Sequence, residues 1–455
     1  MKVALLIITG VFLFELIIFF HELGHFLAAK KSGVKVNEFA LGMGPKILSF
    51  KRGETIYSLR LLPIGGFCSM EGEDQESDNP RAFNNAKIGG RMAIIIAGAV
   101  MNIILGVIFM FFLLVQPAYL NSTVIQGFPP YSFSANSGLE PGDRIVRLNN
   151  YAIDTTKDLS FAISTIKLST VNGGTLNIFK QDAANELTKI YTELSKSENM
   201  TDELLEPIYN TLHQRVKEIN QAGTKEAATS IMQKCDREMR NMAGIEGVKP
   251  LTVIEKETSP RYRTEIVVVR DGKRITLTDV DFYTYMPQRD KDKAEEAQPA
   301  VGIDFYVEPV KKNVFTLISY SFRETVSVVR MVWSSLGGMV TGRYSIKEIS
   351  GPIGVTSAIS KVASEGLKTP GFAGLAEAAN NILFMMMVIT VNLGIVNLLP
   401  FPALDGGRFV FLLIEAIRKK PIPYKYEAIV NGAGFALLMV FMVLISFKDI
   451  WQLFQ

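Results

Sequence analysis

His21-Glu22-Leu23-Gly24-His25 is the stretch of this 455-residue chain whose side chains could do chemistry together. Residues four apart share one face of an α-helix, so on a helix both imidazoles reach a single divalent cation. Imidazole nitrogen suits Zn²⁺, and Glu22 would stand beside a metal-activated water as a general base. The chain holds only three histidines, His21, His25 and His213. A chance pair at this spacing with the glutamate in place has odds below about one in a thousand. Catalytic zinc also wants a third protein ligand and an open position. No third histidine follows, because residues 26–33 read FLAAKKSG, and His213 lies in a polar stretch where an ordinary surface or core histidine is the simpler account. Glu15 is ten residues from His25, about 15 Å along a helix. Asp405 is the better acid. It follows Asn397-Leu-Leu-Pro400-Phe-Pro402-Ala-Leu404, whose prolines must break a helix, and Gly406 and Gly407 put flexible backbone beside it.

The elements that must position these groups are membrane spans. Mean hydropathy is +0.21 although 20% of residues are charged, so apolar residues are concentrated in blocks. A bilayer core needs about 20 apolar residues. The runs 92–119, 378–404 and 428–447 qualify, and so does 3–20, interrupted only by Glu15. A cleaved leader is a poor reading of 1–20: Lys2 is its only basic residue, and the run passes straight into His21 without a small-residue cleavage site. Four transmembrane helices are expected. Residues 314–342 are not a fifth, because Arg323, Glu324 and Arg330 cut them into short pieces; an amphipathic interfacial helix fits better. Lys and Arg crowd the 31–91 and 405–427 loops, which should therefore face the cytoplasm. Region 120–377 then lies on the far side, with both chain ends. A net charge of +3 gives no basic field, so no nucleic-acid partner is expected. Cys68 and Cys235 make no disulfide framework.

Taken together, HELGH on a first span and NLLPFPALDGG after a third resemble the site-2 protease family of intramembrane zinc metalloproteases, in particular its bacterial branch with an extracytoplasmic PDZ domain. GMGP at 42–45 and LLPIGGF at 61–67 are similar to that family's membrane-dipping β-hairpin on the cytoplasmic side. AGAVMN at 97–102, with Gly98 and Asn102, is similar to its second-span motif, and SGPIGV at 350–355 also recurs. The resemblance implies that Asp405 is the third zinc ligand and that Asn392 and Asn397 orient substrate or support the ligands; interhelical hydrogen bonding is the plainer role for these asparagines.

Residues 135–149, ANSGLEPGDRIVRLN, resemble the most recognisable stretch of a PDZ domain, which accepts peptides by strand addition. A strand at 174–180 should continue directly into a hairpin at 264–277, turned at Asp271-Gly272. Instead, polar helices are expected near 182–197, 202–221 and 224–243. They read either as a solvated insertion, which loop-closure entropy tolerates, or as a partner-docking module. Glu15 stays unassigned: protonated, hydrogen-bonded to another span, or marking a water path.

The expected fold is a polytopic α-helical membrane protein with four transmembrane helices, the membrane-dipping hairpin and a PDZ-like α/β domain carrying a helical insertion. Its parts are 1–30 (first span), 31–91 (hairpin region), 92–119 (second span), 120–180 and 259–310 (PDZ-like halves), 181–258 (insertion), 311–377 (interfacial helices and linker), 378–404 (third span), 405–427 (LDGG segment and loop) and 428–455 (fourth span). The expected activity is zinc-dependent peptide hydrolysis at the cytoplasmic membrane boundary, with Glu22 catalytic and His21, His25 and Asp405 on the metal. By resemblance, the substrates are single-span membrane proteins already trimmed outside, such as anti-sigma factors, and remnant signal peptides. A non-catalytic scaffold would not need Glu22, and a zinc transporter would need further ligand sets along a path.

Overall fold

The computed structural model describes residues 2–453 apart from 74, 76, 130–131, 133, 167–168, 173–175, 196–199, 246–250, 252–257, 262, 283, 286–299, 302, 343–353 and 355–371. The SGPIGV stretch lies outside the described residues except at Gly354. The chain forms two compact units, 1–118 with 312–455, and 119–311.

The first unit is built from long apolar helices and one sheet. α1 (Lys2–Lys31) leads into β1 (Val36–Arg52) and β2 (Thr55–Met70), followed by α2 (Ile88–Val115). After the second unit come α7 (Val314–Val340), α8 (Phe372–Asn397), α9 (Asp405–Arg418) and α10 (Tyr424–Leu453). Among the described residues, four helices are long and apolar enough to cross a membrane: Phe12–Lys31, Ile88–Val115, Ala376–Asn397 and Lys425–Trp451. α7, with its three charges, is not among them. It is one continuous helix whose Val328 joins Met110 of α2 and Met387, Val391 and Ile395 of α8 in a shared core. Small residues let the helices close on one another: Gly24 lies against the Ala97 carbonyl, Gly394 against that of Ala99, and Gly106 against Val391.

β1 and β2 are each bent, so together they make four ladder segments. Residues 36–41 pair antiparallel with 66–70 on one side and run parallel to 56–59 on the other, while 46–52 pair antiparallel with 55–60. The order across the sheet is therefore 66–70, 36–41, 55–60, 46–52. Gly42 (φ +81°), whose Cβ would meet the Leu62 carbonyl at 2.7 Å, permits the bend in β1. Glu38 ties three of the segments, accepting from Ser58 (2.6 Å) and Arg60 (2.8 Å) and pairing with Lys46 (3.0 Å). The far end of the sheet exposes Met43, Ile47, Leu48, Phe50, Leu59, Leu61 and Leu62.

The second unit contains β3 (Leu120–Gly127), β4 (Arg144–Leu148), β5 (Tyr151–Ala152), α3 (Thr156–Ser164), β6 (Ser169–Asn172), α4 (Leu176–Ser195), α5 (Asp202–Gln221), α6 (Lys225–Met242), β7 (Thr258–Arg261), β8 (Arg263–Arg270), β9 (Lys273–Asp281), β10 (Thr284–Tyr285), β11 (Ala300–Val301) and β12 (Tyr306–Val310). Its main sheet runs β12-β3-β4-β8-β9, with β5 beside β4; β10 pairs with β11. Asp271 (φ 50°) and Gly272 (φ 75°) both take positive φ, as the tight β8–β9 turn requires. The expected strand at 174–180 is not present: helix α4 begins at Leu176. Phe179, Ala183, Leu187, Ile190 and Leu194 recur at helical spacing and enter a core with α5 and α6. That core is separate from the one under the main sheet. The helices leave and rejoin the domain through a ribbon in which Asn172 faces Thr258 and Ser169 faces Arg261.

Candidate metal centre

α1 places His21 and His25 one turn apart, and α9 brings Asp405 to them from the far end of the sequence. The two Nε2 atoms are 3.2 Å apart, and Asp405 Oδ2 lies 3.2 Å and 3.4 Å from them. All three donor atoms fall within 4.8 Å of one another. His25 Nδ1 sits 2.8 Å from the Ile94 carbonyl. A carbonyl only accepts, so Nδ1 carries the proton and Nε2 turns its lone pair to the cluster. On His21, Nδ1 is 3.2 Å from the Asn102 side-chain amide, whose Oδ1 is buried without a partner among the described residues. With the amide turned over, Oδ1 accepts from His21 Nδ1–H and satisfies both groups. Two imidazole lone pairs and a carboxylate oxygen then face a common point. Oδ2 of Asp405 is itself buried and makes no well-formed hydrogen bond. Such a convergence is unfavourable by itself and suits a cation.

Gly98 provides the room. A Cβ there would stand 2.3 Å from His25 Nε2 and 2.7 Å from His21 Cε1. Burial raises the Asp405 pKa, but the two histidines outweigh that and hold the carboxyl well below its usual range. Glu22 follows His21 on the helix, and its carboxylate faces the backbone amide of Cys68.

Asp405 is positioned by a strained, tightly packed approach. α8 ends at Asn397, and the Pro-containing link turns through Ala403 at φ +71°, whose N–H donates to Asn431 Oδ1 on α10 (3.2 Å). Gly406 and Gly407 act here through close packing, whereas sequence pattern had pointed to flexibility. They begin a helix, and Cβ atoms on them would lie 2.2 Å from the Leu399 carbonyl oxygen and 2.3 Å from that of Phe401. α9 is further tied by an Arg91–Glu415 ion pair and by Arg408–Glu73 at 2.5 Å, around a cleft of about 310 Å³.

Of the remaining expected residues, Asn397 Nδ2 is 3.4 Å from His21 Nε2. Asn392 is exposed on α8 and makes none of these contacts. Asn102, 0% exposed, carried no assigned role in the sequence. Its i+4 spacing from Gly98, which puts both on the same face of α2, was the available signal.

A membrane protein with several apolar helices and a His-Glu-x-x-His helix whose histidines meet a distant carboxylate defines the class of membrane-embedded metallopeptidases. Residues 9–441 match Peptidase family M50. The chain is 31% identical to zinc metalloprotease RasP of Bacillus licheniformis, over 98% of this chain and 99% of that protein. It is 29% identical to the regulator of sigma-W protease RasP of Bacillus subtilis, with the same coverage. The chain belongs to peptidase family M50, the site-2 proteases, and is a polytopic zinc metalloprotease of the cell membrane with Zn²⁺ as its cofactor.

Proposed function

We propose that this protein hydrolyses peptide bonds in or near the spans of single-span membrane proteins, with His21, His25 and Asp405 holding the zinc and Glu22 as general base. The observation that carries this reading is the convergence of those three donor atoms beside Glu22. When bound, zinc supplies Lewis acidity towards a carbonyl oxygen and a water. Glu22 takes a proton from the attacking water and returns it to the leaving amine. The Ile94 carbonyl and Asn102 hold the two imidazoles in the tautomer that frees Nε2. Asn397 lies against His21, and the exposed Asn392 is open to substrate. The free edge at 66–70 takes the substrate as an added strand, after local unwinding of its helix. The exposed apolar end of the sheet fits a part that dips into the membrane.

Anti-sigma-factor-like substrates agree with the B. subtilis relative's name, regulator of sigma-W protease; remnant signal peptides and an earlier extracytoplasmic cut rest on the family resemblance. The Lys/Arg-rich loops support a reading with the catalytic end of α1 towards the cytoplasm and residues 119–311, read as a PDZ-like domain with a helical insertion, outside. That domain would exclude untrimmed proteins and is the place for a protein partner.

The test uses purified protein and a single-span substrate. Glu22→Gln should abolish cleavage with about one zinc per chain retained, and Asp405→Ala should lose the zinc. Turnover by Glu22→Gln, or full zinc in Asp405→Ala, would remove the assignment. Deleting 120–310 should let untrimmed substrates be cut; unchanged selectivity would remove the filter role.

A further inference from the structure

Glu15 is the one acidic residue of the apolar run 3–20 that opens α1, and the reaction above makes no use of it. It is only 6% exposed, and neither carboxylate oxygen has a hydrogen-bond partner of good geometry among the described residues. A carboxylate is costly in an apolar span unless something meets it. Its described polar contact is with the sheet. The backbone amide of Gly65 points at Glu15, Gly66 packs on Ile18 and Glu22, and the Cys68 amide points at Glu22. The segment 65–68 therefore runs alongside the α1 face made by Glu15, Ile18 and Glu22. The lengths agree: seven helical residues and three extended ones each cover about 10 Å. Segment 66–70 is also the edge of the sheet, paired on one side only among the described residues.

We propose that Glu15 is a substrate subsite that takes a hydrogen-bond-donating side chain, best a lysine or arginine, from the span being cut. This deepens the peptidase reading above and rests on it. A substrate strand added along the 66–70 edge and centred on Glu22 passes Glu15 about three residues from the scissile bond. In the orientation proposed, that residue lies on the outer side of the cut. Gly65 meets Glu15 only through its backbone amide, and the carboxylate oxygens are buried, so the incoming side chain reaches them as the substrate strand docks. A charge-assisted hydrogen bond in a water-poor setting gives selectivity that apolar contacts along a span cannot.

The experiment uses the full chain in lipid vesicles and a Leu/Ala host span in which one residue at a time is Leu, Gln or Lys. Cut sites and rates come from mass spectrometry of the products. Binding of the same peptides is measured on the Glu22→Gln protein, and zinc per chain reports the fold of every variant. Lys about three residues outside the cut should be preferred over Leu by about tenfold in kcat/KM. That ratio should collapse towards one in Glu15→Leu and fall partway in Glu15→Gln, which keeps hydrogen bonding without charge. The same ratio in all three proteins overturns the proposal. If the wild type cuts no host, the peptidase reading fails separately. Binding then decides Glu15: tighter Lys-host binding that is lost in Glu22→Gln/Glu15→Leu supports the subsite, and equal binding overturns it.

Discussion

A methyl group at Gly98 would overlap the metal-facing nitrogen of His25 and the ring of His21, and neither ring can retreat, since each is held from its other nitrogen. Gly98→Ala should therefore cost at least about tenfold in zinc affinity, with activity falling in step. Gly89→Ala, where nothing lies within 4 Å, is the control; a chelator titration giving equal affinities for both would refute this account. The thiols offer a second residue-scale expectation. Cys68 and Cys235 are both free and buried, and burial pushes Cys235 up to about 12 and Cys68 up as well. Both stay protonated at pH 8 and are shielded. A thiol reagent should modify neither in the folded protein and both after denaturation. Rapid native labelling of Cys235 would show that the α4–α6 core opens readily.

The turn between α8 and α9 sets the reach of Asp405. Ala403 in the left-handed region costs about 1–3 kcal/mol, which its surroundings must offset. Asn431 does so by accepting its N–H, and Gly434 lets α10 press on Pro402. Asn431→Ala should weaken zinc binding by about tenfold. Adding Ala403→Gly should restore much of it, because glycine takes this conformation freely. A double variant no better than the single one would mean that Asn431 acts in some other way.

Across the whole molecule, the helical insertion keeps its own core, apart from that of the main sheet, and its entry and exit strands already face each other at Asn172 and Thr258. Joining these two strands by a two-residue turn in place of the three helices should leave a folded protein. Zinc per chain should be unchanged while far-ultraviolet circular dichroism loses helical signal. Loss of zinc or aggregation on excision would show that the insertion supports the rest of the fold.

Local and periodic features were legible in the sequence alone. HELGH spacing places two imidazoles on one helix face, continuous apolar runs require helices of membrane length, and Asp271-Gly272 marks its turn. Each follows from bonding and solvation within a few residues. Asp405 was legible because acid, glycine and proline so close together leave few alternatives. The strand expected at 174–180 failed because a short apolar-polar stretch fits either period, and the core shared by α4, α5 and α6 chose the helix. The remaining features depend on contacts far apart in the chain: Asn102 and the Ile94 carbonyl behind the two imidazoles, Asn431 under Ala403, the close packing of Gly406 and Gly407, and Glu15 facing a glycine in the sheet. In each case the partner lies on another element, and local pattern carries no record of which one that will be.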